Sequence, residues 1–100
     1  MFKIDLQKHK PTKKFDNNYL CYVRKRLITA TPEEEVRQSV INFLTNEKGY
    51  PIRNISVEVP MTHFLKGAKG RADIVITDNE QNVICLIECK EPNEVFQTMY

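Results

Sequence analysis

The sequence predicts an α/β domain, and three observations carry that prediction. Thr31-Pro32-Glu33-Glu34 reads as a helix start and is followed by apolar residues at helical spacing. Ile55 to Val59 alternates as a strand does. Ala72–Thr77 and Val83–Cys89 are β-rich runs on either side of a short polar turn, as in an antiparallel hairpin. At 100 residues the chain suits one small domain with a modest core.

Taken in order, residues 1–18 read as a basic, irregular leader broken by Pro11 and Asn17-Asn18, and residues 19–100 as the domain proper. Tyr19 to Ile28, rich in Tyr, Val, Leu and Ile, reads as one strand entering the core. In the helix, Thr31 is the N-cap, Pro32 suits the first helical position, and Glu33 and Glu34 face the positive end of the dipole. Glu34, three residues after Thr31, completes the pattern of a capping box. Val36, Val40, Phe43 and Leu44 form the buried stripe. Glu33, three residues before Val36 and seven before Val40, is expected on it. Gly49 and Pro51 end the helix. Pro60 stops the Ile55 strand, and Met61 to Gly70 is a loop. Pro92 breaks the second hairpin strand. Asn93 to Tyr100 reads as the start of a helix too short to be complete, which points to a piece of a longer protein.

The composition, 41% hydrophobic and 28% charged, is that of an ordinary soluble domain. No apolar run approaches the roughly 20 residues needed to span a bilayer. No secretory signal pattern opens the chain. A cytoplasmic location without a membrane partner is therefore expected. The three cysteines, Cys21, Cys85 and Cys89, are odd in number and lack a CxxC spacing, so they read as buried reduced thiols. The net charge of +2 hides an asymmetry: residues 1–31 carry +6 and residues 32–100 carry −4. The basic leader, from Lys3 to Arg26, suits either contact with phosphates or a solvated arm. His9 and His63 read as solvated loop residues.

The chemistry concentrates in Arg71-Ala72-Asp73-Ile74-Val75-Ile76 and Leu86-Ile87-Glu88-Cys89-Lys90. An acid inside one apolar run, and an acid and a lysine at the end of the next, are costly there unless they act together. Side chains alternate along a strand, so register decides whether they meet. A four-residue loop, Asn79 to Asn82, closed by Asp78 opposite Val83, places Asp73 opposite Glu88, Val75 opposite Leu86 and Arg71 opposite Lys90. The reverse face then holds Ala72/Cys89, Ile74/Ile87 and Ile76/Cys85, all apolar. Opposed carboxylates repel across a strand pair, and a divalent cation reverses that sign. Asp73, Glu88 and the Cys89 carbonyl suit Mg²⁺, and Lys90 beside them suits activation of a water that attacks a phosphodiester. Read blandly, Asp73 pairs with Arg71, and Glu88 with Lys90, on an exposed edge. Lys66, Lys69 and Arg71, in a loop with Gly67 and Gly70, are candidates for DNA contact beside an equally simple reading as a polar loop.

These residues resemble the PD-(D/E)xK nuclease signature, with Ala72 at the proline position, Asp73 as the aspartate and Glu88-Cys89-Lys90 as the Glu-x-Lys. Arg26, the Thr31 helix start with Val36-Arg37-Gln38, Gly49-Tyr50-Pro51, Val57-Glu58, Arg71-x-Asp73-Ile74-Val75 and Ile87-Glu88-Cys89-Lys90-Glu91-Pro92 resemble the N-terminal nuclease domain of type I restriction enzyme R (HsdR) subunits. The resemblance implies a restriction-endonuclease-like core: a central mixed sheet flanked by helices, C-terminally truncated here. It also implies a Mg²⁺-dependent endonuclease that cleaves double-stranded DNA within a restriction-modification complex, alongside methylase and specificity subunits. Asp73 and Glu88 would hold the metal and Lys90 would be the catalytic lysine. A helix acid often joins them, and Glu33 and Glu34 are both candidates. Glu58 reads as a strand-face acid and Arg37 as the partner of a first-turn acid. The family's Gln-x-x-x-Tyr helix would begin near Gln97. No GxxxxGK[ST] is present, so ATP would act only through a motor domain outside this chain. A non-catalytic, nuclease-like module for DNA or subunit binding is the alternative reading.

Overall fold

The computed structural model describes residues 2–90 and 94–99. Two β-strands, β1 (Asn18–Cys21) and β2 (Arg26–Thr29), form an antiparallel hairpin ahead of helix α1 (Pro32–Asn42). Strands β3 (Ile55–Pro60), β4 (Arg71–Thr77), β5 (Val83–Lys90) and β6 (Glu94–Met99) follow. They make one four-stranded sheet in the order β3-β4-β5-β6, with every neighbour antiparallel. The expected mixed sheet is therefore corrected. The β4–β5 and β5–β6 connections run from Thr77 to Val83 and from Lys90 to Glu94, far shorter than a parallel crossover requires.

Helix α1 starts where its sequence says. Thr31 is extended (φ −101°, ψ 162°), its hydroxyl accepts from the Glu34 N–H at 3.1 Å, and Pro32 follows in the first turn. The reciprocal half of the capping box is not made, because the Glu34 carboxylate is bound to arginines instead. The helix continues as a π-helical turn over Phe43–Glu47 and stops at Gly49, whose φ of +73° lies in the left-handed region that glycine enters freely.

One face of the sheet packs on the helix. Val36, Val40, Ile41, Phe43 and Leu44 bury against Ile55, Ile74, Ile76, Cys85, Ile87 and Cys89, each large apolar side chain contributing about 1.5–3 kcal/mol. Phe2, Ile4 and Leu6 pack on the same core, so the start of the leader is part of the fold although it forms no helix or strand. The opposite face carries a smaller cluster of Ala72, Val75 and Leu86, covered by Val59, Met61 and Phe64.

Four further expectations are corrected. Tyr19 to Ile28 is not one strand but two, folded back at a turn in which Lys25 has φ +57°. The hairpin pairs Ile74 with Ile87, Val75 with Leu86 and Ile76 with Cys85 as expected, then shifts so that Thr77, not Asp78, faces Val83. Asp78 is used by the turn: its Oδ1 accepts from the Glu80 and Asn82 N–H groups at 2.8 and 2.9 Å. Those bonds hold its carboxyl below the usual range, the Asn82 N–H having the largest effect. Ala72 joins Val75 and Leu86 instead of Ile74, because strand alternation breaks at Asp73.

Residues 94–99 form strand β6, not the start of a helix; Asn93 and Tyr100 lie outside the described residues. Val95 reaches the main core and Glu94 and Phe96 stay exposed, a two-residue period that suits the otherwise empty hydrogen-bonding edge of β5. Gln97 has a structural task here: its side chain accepts from the Phe2 N–H and donates to the Phe2 carbonyl, both at 2.9 Å.

Candidate functional site

The predicted site lies where strand pairing fails. On one side of β4, Val57 pairs with Ile74 and Val59 with Ala72, but Glu58, between them, has φ +52° and leaves the ladder. On the other side, the β4–β5 ladder ends at Ile74–Ile87. Asp73 thus sits in a gap between three strands, and its side chain does what a backbone carbonyl would otherwise do. Oδ2 accepts from the Cys89 N–H at 2.7 Å, and Oδ1 accepts from Arg37 at 2.8 Å. The expected facing pairs Asp73/Glu88, Ala72/Cys89 and Arg71/Lys90 are absent from the ladder for the same reason, and Glu88 pairs with Phe96 of β6 instead.

Arg37 is the residue that sequence reasoning underestimated. It makes the two helical pairs expected of it, with Glu33 and Glu34, and also reaches β3 and β4. Its side chain is only 4% exposed. Nη1 binds Glu34, while Nη2 lies 2.8 Å from Asp73, 3.1 Å from Glu33 and 3.7 Å from Glu58. Burial pulls the guanidinium pKa down, but the Asp73 bond and the charges of Glu34, Asp73 and Glu58 outweigh it and raise the pKa above its ordinary value. The side chain is therefore a fixed cation. A guanidinium serves here because its planar fork can meet acids on two sides at once.

Glu34, not Glu33, is the buried helix acid. Glu33 is 49% exposed and lies off the buried stripe, whereas Glu34 is 7% exposed. Arg24, from the β1–β2 turn, explains the difference: its Nη2 donates to both Glu34 oxygens, at 2.7 and 2.9 Å, and Gln38 adds a bond at 3.3 Å. A polar chain thus runs Arg24–Glu34–Arg37–Asp73–Cys89 N–H through the hairpin, the helix, β4 and β5. Arg24 belongs to the basic stretch that ends at Arg26, and only the fold of the hairpin turns it inward.

The Glu-x-Lys pair stands apart from this chain. Glu88 and Lys90 are 42% and 58% exposed, with Lys90 Nζ 3.7 Å from Glu88 Oε2. Between them the Cys89 side chain is buried, and burial first, then the negative charge of Asp73, push its thiol up to about 12. The thiol stays protonated in the chain as it stands, and the candidate metal ligand from this residue is the Cys89 carbonyl. Lys66 and Lys69 are exposed on the loop that enters β4, and Arg71, exposed at the first position of β4, donates to the Glu58 carbonyl at 2.9 Å.

The donor chemistry fits a hard divalent cation such as Mg²⁺: carboxylate oxygens of Glu33, Glu58 and Asp73 face one cationic centre, with no soft ligand among them. The spacing is that of a guanidinium site. Mg–O bonds are about 2.1 Å, so these oxygens would have to close in by about 0.7 Å at Asp73 and about 1 Å or more at Glu33 and Glu58. Among the described residues, no three His, Cys, Asp or Glu side chains are already arranged to hold a metal. No helix among them is long and apolar enough to cross a membrane.

Comparison with known families finds one described as type I restriction enzyme R protein N terminus (HSDR_N), whose model matches residues 32–98. The match begins at α1 and covers the four-stranded sheet as far as Thr98 of β6. Neither the curated proteins nor the solved structures provide a match.

Proposed function

The chain belongs to the type I restriction enzyme R protein N-terminus family, and from that premise we propose that it is a Mg²⁺-dependent endonuclease domain of the PD-(D/E)xK type that cleaves double-stranded DNA. The observation that carries the reading is the meeting of Asp73 with the Glu88-Cys89-Lys90 segment. Asp73 bonds the N–H of the residue between Glu88 and Lys90, at 2.7 Å, where the β4–β5 ladder has just ended.

In this reading Asp73, Glu88 and the Cys89 carbonyl hold the metal, with Glu33 as the helix acid. Glu34 is less suited to that task, because Arg24 and Arg37 already occupy its oxygens. The metal supplies Lewis-acid stabilisation of the charge that develops on the phosphate. Lys90, exposed and held near Glu88, orients the attacking water and stabilises negative charge; the Asp73–Cys89 bond fixes the backbone from which Glu88 and Lys90 project. Lys66, Lys69 and Arg71 contact the DNA backbone from the neighbouring loop, which positions the strand without reading its sequence. Methylase and specificity subunits are the proposed partners, and ATP enters only through a motor domain elsewhere.

The test is metal binding followed by cleavage. Mg²⁺ or Mn²⁺ is expected to raise the melting temperature of the chain, and Asp73→Ala to remove that response. In the R subunit that carries this domain, Lys90→Ala is expected to abolish cleavage of plasmid DNA. A metal-independent melting temperature sinks the metal site, and undiminished cleavage by Lys90→Ala sinks the catalytic assignment. One observation favours a second reading, a non-catalytic DNA- or subunit-binding module: both Asp73 oxygens already have partners. That reading predicts DNA binding unchanged by divalent ions and by Asp73→Ala.

A further inference from the structure

We infer that the leader and the β1–β2 hairpin form a second nucleic-acid surface, one that holds an unpaired strand. Tyr22 and Phe15 stack on its bases, and Lys13, Lys14, Lys25 and Arg26 neutralise its phosphates. The family match begins at residue 32, so this surface lies outside it. It shares no residue with the proposed cleavage site and does not depend on that reading.

Charge is the first argument. Residues 1–31 carry +6. Three of their cations are engaged within the protein: Lys8 with Glu47, Lys10 with Glu35 and Arg24 with Glu34. Lys13, Lys14, Lys25 and Arg26 are exposed and, among the described residues, enter no ion pair. Between Lys13 and Arg26 the sequence holds a single acid, Asp16. A cluster of free cations with so little opposing charge suits a polyanion.

The aromatic residues say which polyanion. Phe15 is 75% exposed and Tyr22 62%, two of the three most exposed large apolar side chains among the described residues. Phe15 and Asp16 have φ of +48° and +68°, in the left-handed region that bulky residues avoid. Their turn is pinned by the Lys14 N–H on the Asn18 carbonyl and by Asn18 Nδ2 on the Phe15 carbonyl, both at 2.7 Å. From that turn the leader runs back along β1 and leaves an open hollow of about 190 Å³, lined by Pro11, Lys14, Tyr19, Leu20 and Tyr22. A cation and an exposed ring thus share one hollow. Bases in a duplex are stacked on one another, and an acidic peptide has none. Exposed rings among free cations therefore favour an unpaired strand.

The surface is also held in place. Arg24, in the same turn as Tyr22 and Lys25, donates to both Glu34 oxygens, at 2.7 and 2.9 Å. The Lys25 N–H donates to the Cys21 carbonyl at 2.7 Å. A surface ordered in advance loses less entropy when a strand binds.

The test is fluorescence anisotropy of a labelled oligothymidylate of about 12 nucleotides, titrated with the whole chain in EDTA. Saturable binding is expected at low salt. Its log affinity should fall against log salt with a slope of about −3, as four cations on a single strand require. Lys13→Gln combined with Lys14→Gln should about halve that slope. Tyr22→Ala and Phe15→Ala should each weaken binding about fivefold or more, and Tyr22→Phe should retain it. Both positions are exposed, and an unchanged melting temperature shows that the variants fold.

No saturable binding at low salt overturns the proposal. So does affinity that neither alanine variant changes, or a duplex of the same length bound as tightly. Displacement by polyglutamate as effective as by unlabelled oligothymidylate also overturns it, and marks the surface as one for an acidic protein. Because EDTA excludes divalent ions, each of these outcomes is separate from the fate of the metal-dependent reading.

Discussion

Removing the Glu34 side chain should be among the most damaging single changes to this fold. The carboxylate is 7% exposed and receives bonds from Arg24 at 2.7 and 2.9 Å, from Gln38 at 3.3 Å and from Arg37. Glu34→Ala takes from the largely buried Arg24 guanidinium the carboxylate that binds it and removes one partner of Arg37, which keeps Asp73 and Glu33. Each arginine already has an unpartnered Nε, so neither has spare bonding to fall back on. Breaking a buried pair by removing one partner costs about 3–5 kcal/mol. A domain of this size has about 5–15 kcal/mol in total. With about 4–8 °C lost per kcal/mol, the melting temperature should fall by at least about 12 °C. Urea unfolding followed by circular dichroism checks this, and an unchanged slope with denaturant would show that the denatured state is not the cause. Glu34→Gln, which keeps the volume and one acceptor oxygen, should fall between wild type and Ala. Glu88→Gln, at an exposed pair, should lose at most about 1 kcal/mol. If Glu34→Ala costs no more than Glu88→Gln, the polar chain from Arg24 to Cys89 holds nothing together and the reasoning fails.

Two further outcomes follow from local features. Thr31→Ala removes the acceptor for the Glu34 N–H and should cost about 1 kcal/mol, seen as a lower urea midpoint with α1 otherwise intact. Cys89, with its thiol raised to about 12 by burial and by Asp73, should resist alkylation in the folded chain. The unfolded thiol ionises near 8.5, so the unfolded state releases its proton first. Stability should therefore be level below about pH 8 and decline as pH rises towards 12. A fast, stoichiometric reaction of Cys89 with iodoacetamide under native conditions would contradict the burial on which this rests.

The sequence was legible where local chemistry decides the outcome. Thr31-Pro32 announces a helix because a cap and a fixed φ act within one turn. The core register of β4 and β5 could be read from the apolar reverse face, since Ile74, Ile76, Cys85 and Ile87 have one burial solution. Strand β6 was illegible for a physical reason. Glu94-Val95-Phe96-Gln97 has no breaker and no decisive period, and the open edge of β5, supplied from elsewhere in the chain, selects the strand. The role of Arg37 was hidden likewise: its contact with Asp73 spans 36 residues, and only the fold brings them together. One signal was available and missed. Phe2, Ile4 and Leu6 alternate with charged or polar residues, which is the pattern of a segment laid along a core. Within the candidate site, the sequence singles out Asp73 and Glu88-Cys89-Lys90 as candidates, but not the Arg37 cation that binds Asp73.

The paired bonds between Gln97 and Phe2 bear on the order in which this protein can assemble. They join positions 95 residues apart, and Val95, in the same strand, completes a core that Phe2, Ile4 and Leu6 also line. During synthesis the first residues leave the ribosome long before their partner strand exists. The β1–β2 hairpin, α1 and the sequence-adjacent strand pairs of the sheet can form from near contacts, but the Phe2–Gln97 closure is non-local and comes late. Until then three apolar side chains near the N-terminus wait uncovered. That interval is when the nascent chain is most exposed to aggregation, and a tag fused before Phe2 would act on this late step more than on the finished structure.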